Sequence, residues 1–185
     1  MGPTLRRPWM KVSLSTSLLA ITLPALAALA SSGPSQVSFH AIGPAGLAFD
    51  GKGGDVKVHE AGGKLEVVVG LNSLHTGISL RDRHMKEKYL ETGKYPTAQF
   101  QVDKGQLRFP SDGHAVKASG TGKLTLHGVT RNVQFAYTAK GTANDATVDG
   151  SAKIKMTDFG IEVPSYLGIT VKPNVDISVE FGVKE

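Results

Sequence analysis

Apolar and polar residues alternate in short segments through most of the chain after residue 36. The most regular segment, 175–181, places an acidic residue, a serine and a second acidic residue between four apolar ones. A period of two puts one face of a strand in an apolar interior and the other in water, as in antiparallel sheets. The apolar residues that this pattern assigns to the interior are Val37, Phe39, Val56, Val58, Leu65, Val67, Val69, Phe100, Val102, Leu124, Leu126, Val133, Phe135, Val175, Ile177, Val179 and Phe181.

Turn-forming residues separate these segments. Gly, Asn, Asp and Pro recur between them at a spacing of about ten residues, which is typical of antiparallel sandwiches and barrels. The alternation therefore predicts an all-β domain and leaves the choice between a sandwich and a barrel open. Gly120, Gly122 and Gly128 are expected to mark barrel bends or places where strands approach closely.

One segment, 82–92, breaks the period of two. Met85, Tyr89 and Leu90 lie there at the spacing of one helix face. The segment predicts a helix of about two to three turns, which would be marginal in water on its own. We therefore expect these three side chains to dock on the strands, across one mouth of the barrel if the sheet closes.

Both ends of this helix carry local signals. Ser79 or Asp82 is expected to cap its start by accepting a backbone N–H. Gly93 is expected to take the left-handed conformation at its end. Pro96 prevents the helix from continuing.

Residues 1–30 have the character of a secretory signal peptide rather than of a folded segment. A basic stretch ending at Lys11 precedes an uncharged and largely apolar stretch at 12–23. Two small-x-small cleavage sites follow, so the mature chain is predicted to begin at Ala28 or Ser31. The alternative, an uncleaved membrane anchor, needs a longer apolar run of about 20 residues.

Cleavage predicts a single domain over residues 31–185, located in the periplasm or outside the cell. About 155 residues suffice for one domain with its own core. The basic stretch also loosely resembles a twin-arginine export signal, so the export route stays open. The chain has no cysteine, so neither a disulfide nor a lipid-modified cysteine is expected.

The charge balance does not favour a nucleic-acid partner. The chain has 21 basic and 16 acidic residues, and three of the basic residues lie in the predicted signal peptide. The mature domain would therefore carry a small positive excess, without a stripe of Lys and Arg.

The cluster Arg81-Asp82-Arg83-His84 invites a catalytic interpretation. A His close to an Asp in sequence shows neither a tuned pKa nor a nearby substrate. A structural role is favoured, in which Asp82 caps the helix, Arg81 and His84 hydrogen-bond neighbouring loops, and Arg83 is solvated. The sequence contains no Gly-x-Ser-x-Gly elbow and no phosphate-binding loop, so no enzyme is predicted.

Metal binding is not predicted either. The histidines occur singly, without His-x-His or His-x-x-x-His spacing, and the chain offers no thiolate. We expect them to lie on the polar faces of strands, and we predict no metal and no other cofactor. They are His40, His59, His75, His84, His114 and His127.

Four motifs resemble those of the YceI-like family. They are Arg-Asp-x-His at 81–84, Tyr-Pro-x-x-x-Phe at 95–100, Gly-x-Leu-Thr-x-x-Gly-Val-Thr at 122–130 and Asp-Phe-Gly at 158–160. Thr76 precedes the first motif, as is usual in that family. Met85 stands where the family usually has Leu, and Met156 stands where a basic residue often precedes the last motif.

The resemblance implies an eight-stranded antiparallel barrel, lipocalin-like in shape, with one short helix between strands. Its interior would hold a long-chain polyisoprenoid or related amphiphile, with an isoprenoid quinone as one candidate. The apolar residues assigned above to the interior would then line the ligand site. The residues expected to contact a head group or the helix are Arg81, His84, Met85 and Tyr89.

The residues themselves leave three functions open. Eight strands enclose a space that is either filled by side chains or able to hold one small ligand. The favoured function is a binding protein that sequesters or carries such a lipid, with transient membrane contact left open. The alternatives are an enzyme that acts on the lipid through Arg81, Asp82 and His84, and an interaction module with an empty barrel.

Overall fold

The computed structural model describes residues 28–43, 46–111, 113–142, 144–166 and 169–185. The predicted signal peptide lies outside the described residues, except for Ala28, Leu29 and Ala30. The described strands are β1 (Ala30–Ile42), β2 (Ala48–Gly53), β3 (Val56–Ala61), β4 (Lys64–Gly70), β5 (Thr97–Asp103), β6 (Val116–Leu126), β7 (Val129–Gly141), β8 (Asp145–Lys155), β9 (Ser165–Tyr166), β10 (Ile169–Thr170) and β11 (Asn174–Lys184).

Over the described residues, helical structure is confined to short elements. The helix α1 (Ser79–His84) continues directly into a wider π-helical turn at Met85–Tyr89. Single turns of 3₁₀ helix lie at Leu71–Ser73, Lys104–Gln106 and Met156–Phe159. Within the described part of the chain, no helix is long and apolar enough to cross a membrane.

The strands close into one antiparallel barrel. In the order β1, β11, β8, β7, β6, β5, β4 and β3, each strand pairs with the next. The ring closes where Ala30 of β1 pairs with His59 of β3. β2 pairs with the rest of β1 and continues the position of β3 along it. The predicted eight-stranded antiparallel barrel with one short helix is therefore confirmed.

Alternation along the strands separates an apolar interior from a polar exterior, as predicted. In β11, Val175 and Phe181 are buried, whereas Asp176 and Ser178 are exposed. The same strand pairs with β8 on one side and β1 on the other over most of its length. The clearest pattern in the sequence thus belongs to a strand that is paired on both edges.

Two strands of the barrel sheet, β2 and β8, were not predicted from the alternation, because glycine occupies some of their inward positions. β8 alternates with Val148 and Ile154 buried, but Gly150 lies between them. In β2, Gly51 lies beneath the ring of Phe39, and a Cβ atom at Gly51 would overlap that ring. These glycines make room for side chains from neighbouring strands, so the apolar pattern shows a gap where the interior has none.

The glycines singled out in β6 act in a similar way. A Cβ atom at Gly122 would overlap the ring of Phe100, and one at Gly120 would press on the ring of Phe135. Gly128 forms the turn between β6 and β7 with a φ of 73°. Close approach is therefore the role of Gly120 and Gly122: an aromatic ring approaches each of them, and the backbone of Gln101 also lies close to Gly122.

One end of the barrel is packed solid. Leu29, Val58, Ala139, Ala146 and Val183 are all buried there, at 3% exposure or less. The register brings them together, because the amino-terminal end of β1 meets the carboxyl-terminal end of β11 and the β7–β8 turn. We call this the closed end.

The helix begins and ends differently from the prediction. The residue before its first turn is Ile78, whose apolar side chain cannot cap, and Ser79 is already helical. Asp82 is no cap either, since its carboxylate accepts hydrogen bonds from Thr76 instead. At the far end Glu91, not Gly93, takes the left-handed conformation, with a φ of 44°.

The physical reason for the early reversal is the π-helical turn. It widens the last turn so that the Leu90 N–H donates to the Met85 carbonyl and the Thr92 N–H to the Lys86 carbonyl. The chain then reverses at Glu91, whose carbonyl accepts from two following N–H groups. Met85, Tyr89 and Leu90 pack against the barrel core, as expected.

Candidate functional site

A cavity of about 890 Å³ occupies the barrel interior. Interiors of proteins are close-packed, and voids larger than a water molecule are few. Ligand sites typically have volumes of about 300–1,000 Å³ and mostly apolar walls. A cavity of this size is therefore the candidate functional site.

Most residues predicted to face the interior line this cavity. Of that set, only Val56 and Val58 do not. Both are buried, but they belong to β3, which passes the closed end beside Leu29. The alternation was correct about the buried face of these two residues, and the structure places them away from the wall of the cavity.

Several cavity residues were not singled out from the sequence. Val148, Ala152 and Ile154 come from β8, whose alternation could have revealed them. Leu107 and Phe109 come from the connection between β5 and β6, where no periodic pattern marks them. Connections contribute wall residues because they fold over the barrel ends, which local sequence does not show.

Aromatic rings form part of the deep wall. The rings of Phe100 and Phe135 meet edge to face at a centroid distance of 5.2 Å. Tyr137 stacks beside Phe135 at 5.8 Å. Its hydroxyl accepts a hydrogen bond from the Arg108 N–H and donates one to the Arg108 carbonyl. The polar tip of Tyr137 is thus satisfied by backbone, and it leaves the deep cavity apolar.

The opposite end of the cavity forms the mouth, between Leu47, just before β2, and the helix. Arg81, His84, Met85 and Tyr89, the residues predicted to contact a head group or the helix, all line the cavity. The Arg81 guanidinium lies 4.9 Å from the centre of the Phe49 ring. The structure therefore brings the charged and the apolar predicted residues together at one place.

Asp82 holds the start of the mouth segment in place. Its Oδ1 accepts hydrogen bonds from the backbone N–H and the hydroxyl of Thr76, both at 2.6 Å. These bonds hold the pKa of the Asp82 carboxyl below its ordinary value. Arg81 Nε donates to the same Thr76 hydroxyl at 2.8 Å. Asp82 is thus engaged with Thr76 rather than with His84, which weakens the catalytic interpretation of this cluster.

His127 holds the other end of the mouth segment and is not the surface residue that was expected. Its side chain is only 13% exposed, and its Nε2 lies 2.6 Å from a carboxylate oxygen of Glu91. Its Nδ1 lies 3.2 Å from the Phe159 carbonyl, and the Tyr95 ring packs against the imidazole at 4.6 Å. His127 therefore joins three connections at the mouth.

Other polar groups do not suggest a metal centre. His40 pairs with Asp50, and His59 pairs with Glu66, on the outer face of the sheet. Among the described residues, no group of three or more His, Cys, Asp or Glu side chains is arranged to hold a metal ion.

Comparisons with known proteins agree on one family. A family model described as the YceI-like domain matches residues 31–183. A UPF0312 protein of Pseudomonas paraeruginosa is 34% identical over 127 residues, which cover 62% of this chain and 61% of that protein. A UPF0312 protein of Yersinia enterocolitica is 32% identical over 120 residues, covering 61% of this chain and 59% of that protein. The chain spans about three fifths of the length of the curated relatives it matches.

Two solved structures share the fold. A polyisoprenoid binding domain from Saccharophagus degradans, implicated in plant cell wall breakdown, has a TM-score of 0.70 and 18% identity, covering 84% of this chain and 97% of that chain. BcnA from Burkholderia cenocepacia has a TM-score of 0.62 and 19% identity, covering 80% of this chain and 95% of that chain. At these identities the likeness establishes the architecture alone.

Proposed function

Since the chain belongs to the YceI-like family, we propose that it is an exported binding protein that holds a polyisoprenoid or a similar long-chain amphiphile inside its barrel. The observation that carries this proposal is the apolar cavity of about 890 Å³, with polar groups gathered at its mouth. An amphiphile with an apolar chain and a polar head matches that distribution. The polyisoprenoid binding named for the Saccharophagus degradans domain supports the same class of ligand.

The mechanism is passive burial. An apolar chain that leaves water gains roughly 25 cal/mol per Å² of buried surface, less the cost of ordering it. Val, Leu, Ile and Phe side chains supply the apolar wall. At the deep end, the Tyr137 hydroxyl is hydrogen-bonded to the backbone, so it presents no unpaired polar group to a flexible apolar chain. No covalent step is required, so we propose no enzymatic activity.

The mouth would hold the polar head. Arg81 and His84 line it, and Thr76 lies beside them. Arg81 keeps its guanidinium in place through Thr76 and the Phe49 ring. A head group with hydrogen-bond acceptors, such as a phosphate or a quinone carbonyl, would meet donors there.

Export and processing belong to the same proposal. The basic and apolar character of the first residues supports export to the periplasm or beyond the cell. A lipid carrier is useful in an aqueous compartment, where a free polyisoprenoid would be insoluble.

The test compares a tryptophan inside the barrel with one outside it. Ile177 lines the cavity, and Ser178, the next residue of β11, is exposed on the outer face. Ile177→Trp should fill the lumen and exclude the ligand, while overpacking costs the fold about 1–3 kcal/mol. Ser178→Trp adds the same ring outside and should leave ligand content near that of the wild type.

The measurement is mass spectrometry of an organic extract from each purified protein, expressed as lipid per mole of folded protein. We expect a long-chain amphiphile from the wild type and a sharp fall for Ile177→Trp. Circular dichroism confirms that both variants are folded. Equal lipid content in two folded variants would contradict binding inside the barrel.

A further inference from the structure

Three large apolar side chains are exposed around the mouth of the barrel. Leu47 is 71% exposed, Ile78 52% and Leu80 55%, and they are the exposed large apolar residues in the described part of the chain. All three also line the cavity. Apolar side chains gathered at an opening mark an interaction site, whereas scattered ones need no explanation.

These residues form one continuous edge, which we call the rim. Leu47 lies just before β2, and Ile78 and Leu80 lie at the start of α1. The two segments are side by side, because Lys52 and His75 exchange backbone hydrogen bonds at 2.8 and 2.9 Å. The contact between Arg81 and Phe49 joins them again nearer to the rim.

The segment that carries Ile78 and Leu80 has an excess of positive charge. Residues 76–96 contain five basic and three acidic residues. Two of the acidic residues are engaged, Asp82 with Thr76 and Glu91 with His127. Arg83 and Lys88 are exposed on the same segment.

The closed end differs in this respect. Two of its lysines are paired with carboxylates, Lys64 with Asp103 and Lys104 with both Glu60 and Glu185. The mouth segment instead exposes Arg83 and Lys88, on the same side as the exposed apolar residues.

We propose that the rim docks on an anionic phospholipid surface. Leu47, Ile78 and Leu80 enter the boundary between head groups and acyl chains, and Arg83 and Lys88 lie among the phosphates. The inference deepens the proposed function and rests on it. A lipid that passes between a bilayer and the docked barrel keeps its apolar chain out of water along the whole path.

The test measures binding of the purified protein to vesicles. The wild type and all variants begin at the same residue. The vesicles contain phosphatidylcholine with phosphatidylglycerol, or phosphatidylcholine alone. We expect the wild type to cosediment with the anionic vesicles and to bind neutral ones at least tenfold more weakly. Added salt should weaken the anionic binding, because it screens exposed charges.

Two variants separate the apolar from the charged contribution. Leu47→Ser/Ile78→Ser/Leu80→Ser should weaken binding to anionic vesicles about tenfold or more, and exposed positions rarely matter for folding. Arg83→Gln/Lys88→Gln should weaken it and reduce its dependence on salt. The matched control, Lys57→Gln/Lys117→Gln, removes the same charge from exposed positions on the barrel wall and should bind like the wild type.

Several outcomes would overturn the proposal. They are a wild type that does not bind anionic vesicles, a rim variant that binds as well as the wild type, and equal binding to neutral and anionic vesicles. Light scattering that shows a dimer dependent on the rim, without vesicle binding, would assign the rim to a second copy instead. Lipid content is measured in the same samples. A lipid-loaded protein that ignores vesicles refutes docking alone, and a docking protein without lipid refutes the proposed cargo alone.

Discussion

At the scale of single residues, Leu29 is an important part of the packing at the closed end. It is 2% exposed. Its backbone N–H donates to the Glu60 carboxylate, and its carbonyl accepts from the Glu60 N–H. The two predicted cleavage sites differ in whether they retain it. Processing before Ala28 keeps Leu29 in the barrel, whereas processing before Ser31 removes it together with the first residue of β1. We therefore propose Ala28 as the mature amino terminus.

The corresponding prediction compares two engineered starts. A chain that begins at Ser31 should be about 2–5 kcal/mol less stable than one that begins at Ala28, since losing a buried leucine leaves a cavity. Urea denaturation measures the difference, and amino-terminal sequencing of exported protein identifies the natural start. Leu47→Ala is the control, because Leu47 is 71% exposed and its loss should change stability by about 0.5 kcal/mol or less. Equal stability of the two starts would contradict a role for Leu29.

At the scale of elements, the segment that crosses the mouth is held at both ends. Asp82 fixes its start through Thr76, and Glu91 fixes its end through His127. Between these points the helix is short and would not be stable alone. The positions of Arg81 and His84 at the cavity therefore depend on these two polar contacts as well as on apolar packing.

Asp82→Asn should loosen this segment. The neutral amide accepts more weakly than the carboxylate, so hydrogen exchange at the Thr76 amide should become several-fold faster. The lowered pKa of Asp82 sets the pH range over which its hydrogen bonds to Thr76 stabilise the segment. The contribution is complete above the ordinary value of 3.8 and is lost as pH falls through the lowered value. In the wild type, protection of the Thr76 amide from hydrogen exchange should thus fall in acid. In Asp82→Asn it should not.

Asp176→Asn is the matched control for this measurement. Asp176 is exposed on the outer face of β11 and pairs with Lys153 at 3.1 Å. Its substitution should leave exchange at Thr76 unchanged. Unchanged exchange in Asp82→Asn as well would mean that packing alone holds the segment.

At the scale of the whole molecule, one end of the barrel is closed and the other forms the mouth of the cavity. The closed end is packed with apolar side chains and fastened by Lys104, whose Nζ lies 2.7 Å from Glu60 and 3.7 Å from Glu185. The hydrogen bond from Lys104 lowers the pKa of the Glu60 carboxyl, against the opposing effect of partial burial. This ion pair links the β3–β4 hairpin, the β5–β6 connection and the carboxyl terminus.

Glu60→Gln should therefore destabilise the protein in a pH-dependent way. Because the folded-state pKa of Glu60 is lowered, its contribution is complete above the ordinary value of 4.5 and disappears as pH falls through the lowered one. At pH 7 the loss should be at most about 1 kcal/mol, since the pair is partly exposed. Urea denaturation at a series of pH values from pH 7 into the acid range measures it. Asp103→Asn, which removes the more exposed pair with Lys64, should have a smaller effect. A difference between wild type and variant that does not shrink as the pH falls would point to lost packing instead.

The sequence by itself determined which face each regular strand turns to the interior, that one helix interrupts the strands, and to which family the motifs point. These are local properties, since a period of two specifies a face whatever the strand pairs with. The face of Ile177, for example, follows from its neighbours in β11 alone. The wall residues of β8 were within reach of the same reasoning, apart from the interruption at Gly150.

Only the tertiary structure decided how deep each inward residue lies and what it meets there. Val56 and Val58 alternate like the cavity residues, but β3 runs past the closed end, and depth along a barrel depends on strand tilt and register between strands far apart in the chain. The same holds for His127, which meets Glu91 and Phe159 only because three distant connections converge at the mouth. The barrel closes because β1 pairs with β11, from the other end of the domain, on one edge and with β3 on the other, and that closure creates the cavity.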